Sequence, residues 1–227
     1  RAVASSSDGA SLWAAAYNGR LFKSKESGVS WTARETNRLW MAMASSTDGT
    51  KLLAAVDNGK LYTSTDSGST WTARESNRAW RAVASSADGT KLIACASDAR
   101  FIYTSTDSGV TWTARLGDVD WQSVASSADG TKLLAGSWGS NLYTSIDSGS
   151  NWIARASNNI WRAVASSADG TKLIAAAYNG QLYTSTNSGS TWTARETNRS
   201  WLAVASSTDG TKLLAAVLNG QLYTSTD

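Results

Sequence analysis

The chain has 227 residues, of which 21 are Lys or Arg and 18 are Asp or Glu, for a net charge of +3. That length suits one domain with a substantial core, and the near-balance of charge points to no strongly charged partner. There is no histidine and one cysteine, Cys95, which excludes an intramolecular disulfide and an imidazole-activated thiol.

In chain order, the first element is a short strand, "AVASS", at residues 2–6. Its later copies begin at 42, 82, 123, 163 and 203, each two residues after a tryptophan: Trp40, Trp80, Trp121, Trp161 and Trp201. These tryptophans are 40 or 41 residues apart, a period that must be read before anything else. The copy at 161–200 runs WRAVASS, ADG, TKLIAAA, YNG, QLYTST, NSGS, TWTARE, TNRS. "QLYTST" and "TWTAR" alternate bulky and small polar residues at period two, as half-buried strands do. "DG" and "NG" supply the positive-φ residues of tight hairpins. No proline interrupts the ladders, and no segment carries a useful 3.6-residue apolar period. Cys95 lies in the apolar run "KLIACA" and reads as a small buried hydrophobe.

The sequence therefore predicts an all-β fold: a β-propeller of six blades of about 40 residues, each of four strands, the last lacking its fourth in this chain. As one domain over 1–227, its blades span approximately 1–39, 40–79, 80–120, 121–160, 161–200 and 201–227. An uncovered strand edge in the last blade invites self-association. No run approaches the roughly 18 apolar residues needed to cross a bilayer, so membrane insertion is not expected. The chain opens in mid-pattern at "RAVASS" without a visible secretory signal, which leaves removal of a leader, and an extracellular or cell-surface setting, open.

The octet Ser64-Thr65-Asp66-Ser67-Gly68-Ser69-Thr70-Trp71 recurs with variations at 24, 105, 145 and 185. It resembles the Asp-box, S-x-D-x-G-x-T-W, of sialidase-like β-propellers. Glu26 and Asn187 replace the aspartate, and Ser30 and Asn151 replace the threonine. The resemblance implies a turn between the third and fourth strands, away from the ligand face. The residue chemistry agrees: Asp66, Asp107 and Asp147 can accept the turn's own N–H groups. Gly68, Gly109 and Gly149 take positive φ, and Trp71, Trp112 and Trp152 pack between blades. A calcium site built from the three aspartates is the competing reading, but no metal and no cofactor are expected.

The "DG" turns and octets fall at one end of the strands, the "NG" turns and the "RETNR-W" linkers at the other. The second end varies between copies, and binding loops are drawn from such places. Three linkers carry a carboxylate, an amide, a guanidinium and an indole: Glu35, Asn37, Arg38 and Trp40; Glu75, Asn77, Arg78 and Trp80; Glu196, Asn198, Arg199 and Trp201. That set can hydrogen-bond vicinal hydroxyls while the indole covers a sugar ring. Against it, the tryptophans precede a buried strand in every copy and read equally as core. Trp138 breaks the repeat near a hairpin turn and is the best single ligand contact, with Tyr17 and Tyr178 at corresponding turns.

A non-catalytic, multivalent lectin-like propeller that binds glycans is the leading expectation, with a protein-interaction or assembly scaffold as the alternative. Sialidase-like hydrolysis ranks below both. Those enzymes use an arginine cluster, a tyrosine–glutamate pair and an acidic aspartate as unique insertions, whereas here almost every Arg, Tyr and Glu is a copy of one in another repeat. The repeated basic positions, such as Lys51, Lys91 and Lys132, would form circles of charge on a ring and not a one-sided nucleic-acid patch.

Overall fold

The computed structural model describes residues 1–98 and 100–226, leaving aside the side chains of residues 157 and 158. These residues form eighteen β-strands and no helix. The chain divides into two compact units, Arg1–Ala114 and Arg115–Asp227.

The first unit contains β1 (Ala2–Ser5), β2 (Leu12–Ala15), β3 (Tyr17–Ser24), β4 (Thr32–Ser45), β5 (Leu52–Val56), β6 (Gly59–Ser64), β7 (Thr72–Arg78), β8 (Trp80–Ser85), β9 (Leu92–Ala96), β10 (Ile102–Ser105) and β11 (Thr113–Ala114). The second contains β12 (Trp121–Ser126), β13 (Leu133–Ser145), β14 (Ile153–Ser166), β15 (Leu173–Ser185), β16 (Thr193–Ser206), β17 (Leu213–Val217) and β18 (Leu222–Ser225). All pairings are antiparallel meanders between chain neighbours. The long strands serve two sheets: the start of β4 pairs with β3, Leu21 opposite Arg34, while its end pairs with β5, Trp40 opposite Val56.

This continuity corrects one expectation. "ETNR" at 35–38 and at 196–199 lies inside β4 and β16 and is not a linker, and "ESNR" ends β7. Between Gly19↔Arg38 and Leu21↔Arg34, one residue of β3 faces three of β4. The surplus forms a bulge in which Glu35 takes φ 55°, as Glu75 (54°) and Glu196 (57°) do in their strands. Bulges of this kind bend and twist a strand, here at the point where it leaves one sheet for the next.

The "NG" hairpins divide the work between their two residues. The left-handed residue is the asparagine, with φ 57° at Asn18 and 52° at Asn58. The glycine is needed for space instead: a Cβ on Gly59 would lie 2.6 Å from Val56 Cγ1.

Each repeat buries its tryptophan completely, Trp40, Trp80, Trp121, Trp161 and Trp201 being at most 1% exposed. Each indole meets edge-to-face the tyrosine of the third strand in its own sheet: Trp40–Tyr62 at 5.4 Å, Trp80–Tyr103 at 5.1 Å and Trp161–Tyr183 at 5.1 Å. The second strand between them is alanine-rich, with Ala54, Ala94 and Ala175 fully buried, because a larger residue there would take the volume that the two rings occupy. The preceding sheet closes over the pair. Leu53, Ala55 and Leu61 pack with Trp80, Val83 and Tyr103, and Ala125, Leu134 and Leu142 pack with Trp161, Val164 and Ala175.

At the other end of the strands, backbone hydrogen bonds stitch successive "DG" turns together, Ser7 N to Thr47 O (2.8 Å) and Thr47 N to Ala87 O (2.7 Å) in the first unit, Ala128 N to Ala168 O (2.7 Å) in the second. Trp80→Ala is expected to cost about 3–5 kcal/mol, as for other buried aromatic truncations. The measurement is a shift of the urea unfolding midpoint at unchanged m-value.

Candidate functional site

The octets form turns through side chains of their own. In the copy at 64–71, Ser64 Oγ accepts the Gly68 N–H (2.7 Å) and donates to Asp66 Oδ1 (2.8 Å). Thr70 donates to the same carboxylate through its N–H (2.9 Å) and its hydroxyl (2.6 Å). Ser67 and Gly68 both take left-handed φ, 54° and 71°; the sequence pointed to the glycine alone. Where the motif drifts, the bonds survive. Asn151 donates to Asp147 through N (2.9 Å) and Nδ2 (2.6 Å), and Asn187 accepts the Thr191 N–H at 2.9 Å. The Trp112 and Trp152 indole N–H groups close their turns on Gly109 O and Gly149 O at 3.0 Å.

Asp66, Asp107 and Asp147 are each occupied by their own turn, and no group of three or more potential metal ligands occurs among the described residues. Hydrogen bonds from Thr70 and Ser64 hold Asp66 at a pKa of about 2, those from Thr111 do the same for Asp107, and those from Asn151 for Asp147.

The first repeat departs from the others at positions 13 and 23, both of which pack against the octet at 64–71. Trp13, where other copies have Leu or Ile, is buried and meets Trp71 edge-on at 5.9 Å. Lys23, which replaces the usual threonine, is also buried. Its ammonium donates to Ser67 O and lies 5.0 Å from the Trp13 ring centre, and burial lowers its pKa.

At the opposite end, the candidate sugar sites come out differently from expectation. Trp40, Trp80 and Trp201 are fully buried, so no indole face is available to cover a sugar. The arginines complete that burial. The Arg38 guanidinium sits 4.6 Å over Tyr62 and 5.9 Å over Trp40, that of Arg78 sits 4.7 Å over Tyr103 and 6.0 Å over Trp80, and that of Arg199 sits 5.0 Å over Tyr223. Glu35 and Glu75 pair with Arg38 and Arg78 at 3.7 and 3.6 Å, while Asn37, Asn77 and Asn198 are exposed. At Arg38 and Arg78, carboxylate and guanidinium thus form a lid over the Trp–Tyr pair. The signal in the sequence was the recurring tyrosine of "LYTS" ("IYTS" at 102–105), which supplies the second ring beneath each arginine.

The varying turn residues behave otherwise. Trp138 is 47% exposed and Tyr17 52%. The Trp138 ring lies nearly parallel to that of Tyr178, with centres 6.4 Å apart and planes 26° from each other. Trp138 is held from behind by its N–H, which donates to Asp120 O at 2.7 Å. Leu218, at the same turn one sheet further on, is 42% exposed. Three successive turns of the second unit therefore present Trp138, Tyr178 and Leu218. At the corresponding turn in the first unit, Asp57 is held by Arg81 at 3.6 Å.

Comparison with known proteins settles the architecture. A family model described as the DUF6242 beta propeller domain matches residues 42–123. The solved structure of YCF48 from Cyanidioschyzon merolae superposes over 100% of this chain and 81% of its own, with a TM-score of 0.73 and 18% identity. The chain is a β-propeller. YCF48 bound to D1 peptide is similar at 17% identity, a TM-score of 0.73, and 99% and 76% coverage. The GH74 xyloglucanase from Xanthomonas campestris is similar at 17% identity and a TM-score of 0.77, over 100% of this propeller but 44% of the xyloglucanase. No curated protein matches the sequence. At these identities the likeness is one of fold.

The turn carboxylates make the propeller acid-sensitive. Their folded pKa lies below the ordinary 3.8, so their contribution is complete above about pH 4 and is lost as pH falls toward 2. The urea midpoint should be flat from pH 7 to 5 and drop between about 4 and 2. Asp107→Asn, which copies the amide already present at 187, should keep the fold and lessen that drop.

Proposed function

We propose that this propeller is a non-catalytic binding module whose ligand is a protein segment, held at the hairpin-turn end of the second unit by Trp138, Tyr178 and Leu218. The near-parallel Trp138–Tyr178 pair, with Trp138 exposed and Tyr178 half-buried, carries this reading. Large aromatic side chains left in solvent on turns, and stiffened by strand pairing, are the usual anchors of protein recognition. Leu218 extends the apolar row to a third turn. Polar groups beside it are already engaged, since Ser200 Oγ donates to Asn179 Oδ1 at 2.6 Å, which suits a peptide's apolar side chains better than a sugar's hydroxyls. Among similar propellers, YCF48 is described with a bound peptide and matches along most of its own length. A lack of catalysis fits the titrating groups: the shifted aspartates accept hydrogen bonds within turns and offer no acid–base pair.

Carbohydrate recognition is the second reading, and it is favoured by the same flat aromatic pair. It is confined to that pair, because the three repeated sites have no free indole.

The test is an array of immobilised 12-residue peptides run beside a glycan array, with the protein and its Trp138→Ala and Tyr178→Ala variants. Peptide binding should weaken at least tenfold in each variant, with thermal stability within about 0.5 kcal/mol of the parent, as at other exposed positions. Sugar-competed glycan binding lost in the same variants would establish the second reading. Binding unaffected by both variants would remove this surface from the function.

A further inference from the structure

The residue after each repeated tryptophan is left out of the strand pairing. Trp80 lies opposite Ala96 and Ala82 opposite Cys95, so Arg81 is surplus in β8. Trp161 lies opposite Ala177 and Ala163 opposite Ala176, so Arg162 is surplus at the same point of β14. A bulge of this kind re-aims its side chain, and the first unit shows where the arginine goes. Arg81 Nε donates to Ser97 Oγ at 3.0 Å, and its Nη1 lies 3.6 Å from Asp57 Oδ2. Both partners are hairpin-turn residues of successive sheets, the Ser97 N–H donating to Ala79 O and the Asp57 N–H to Leu39 O. Arg81 therefore holds an aspartate side chain between two neighbouring turns.

The second unit sets the same bulge arginine between a different pair of turns. The Trp138 N–H donates to Asp120 O as that of Asp57 does to Leu39 O, so Trp138 holds the place of Asp57. Tyr178 follows Ala177 as Ser97 follows Ala96, and so holds the place of Ser97. Arg162 thus belongs to the foot of the Trp138–Tyr178 pair. It is half-buried, and its Nη1 donates to Gln122 Oε1 at 3.4 Å. Gln122 is the surplus residue of β12, and its Nε2 donates in turn to Asp120 Oδ1 at 2.8 Å. This chain orients the guanidinium and leaves its positive charge unchanged.

We infer that Arg162 is the specificity-determining residue of the turn surface, and that the segment bound there carries an aspartate or glutamate side chain between apolar residues. The inference rests on the protein-segment reading above. The ligand carboxylate meets Arg162 as Asp57 meets Arg81, and the apolar residues on either side of it lie on Trp138 and Leu218. A guanidinium offers five donors in a planar fork that suits a carboxylate. Rings beside such a contact exclude water from it and strengthen it. Charge supplies selection here, and the aromatic pair supplies contact area.

The probes are 12-residue peptides that bind in a Trp138-dependent manner, amidated at the C-terminus so that only side chains carry carboxylates. Each is made in a second version with Asp changed to Asn and Glu to Gln. Both versions are titrated by fluorescence anisotropy with the 227-residue protein and with its Arg162→Gln and Arg162→Glu variants. The acidic version should bind at least tenfold more tightly than the amide version. Arg162→Gln should abolish that difference; glutamine already stands at the equivalent position 122, so the fold accommodates it. Arg162→Glu should reverse the preference in favour of peptides with lysine at the same place, which a merely structural role for Arg162 does not predict. Equal binding of both versions, still dependent on Trp138, would overturn the inference and leave the protein-segment reading standing. A preference for acid that survives Arg162→Gln would overturn it too. Absence of any Trp138-dependent peptide would overturn that reading and this inference together.

Discussion

The edge-to-face contact between the first-strand tryptophan and the third-strand tyrosine of each sheet is the constraint on which the rest depends. It explains the alanine run of the second strand, since only small residues leave room for two rings on one face. It explains the arginine, whose guanidinium covers the tyrosine from the solvent side at 4.6–5.0 Å in three copies. It also sets how the next layer stacks, because the leucines of the preceding sheet close the aromatic pair from the other face. Aromatic pairs of this geometry contribute about 0.5–1.5 kcal/mol beyond their burial, and five repeats carry one.

Function is left to residues that this constraint does not use. The repeat dictates the tryptophans, tyrosines, arginines and turn aspartates, which are all internally engaged. What remains exposed is the residue before the "NG" or "GS" turn in the copies that carry Tyr17, Trp138 and Leu218. In the second unit this puts Trp138 and Leu218 in solvent, with Tyr178 half-buried beside Trp138. A repeat protein can vary such positions without disturbing its core, which is why loops on a fixed scaffold so often carry recognition.

Much of the fold was legible in the sequence, because the 40-residue period, the alternation of "QLYTST" and the turn dipeptides all point the same way. The Asp66 turn was legible for the same reason: a short acceptor before Ser-Gly has few other uses. The bulge at Glu35 was not, since nothing in "ETNR" distinguishes a linker from surplus residues in a strand that changes sheets. The role of Arg38 was hidden too. A Glu-Asn-Arg-Trp cluster reads the same whether its indole faces solvent or a tyrosine, and only the register between first and third strands decides. Trp13 and Trp138 show the difference plainly. Both break the repeat, yet Trp13 lies within a strand between sheets and Trp138 at a turn in solvent.

The central claim is that the repeated tryptophans are core and that recognition falls to the irregular one. Hydroxyl-radical footprinting of the native protein, read residue by residue by mass spectrometry, tests it directly. Trp138 should be oxidised rapidly, while Trp40, Trp80, Trp121, Trp161 and Trp201 should stay protected until the protein unfolds. Labelling of Trp40, Trp80 and Trp201 at the rate of Trp138 would contradict the account and return the three repeated sites to the ligand.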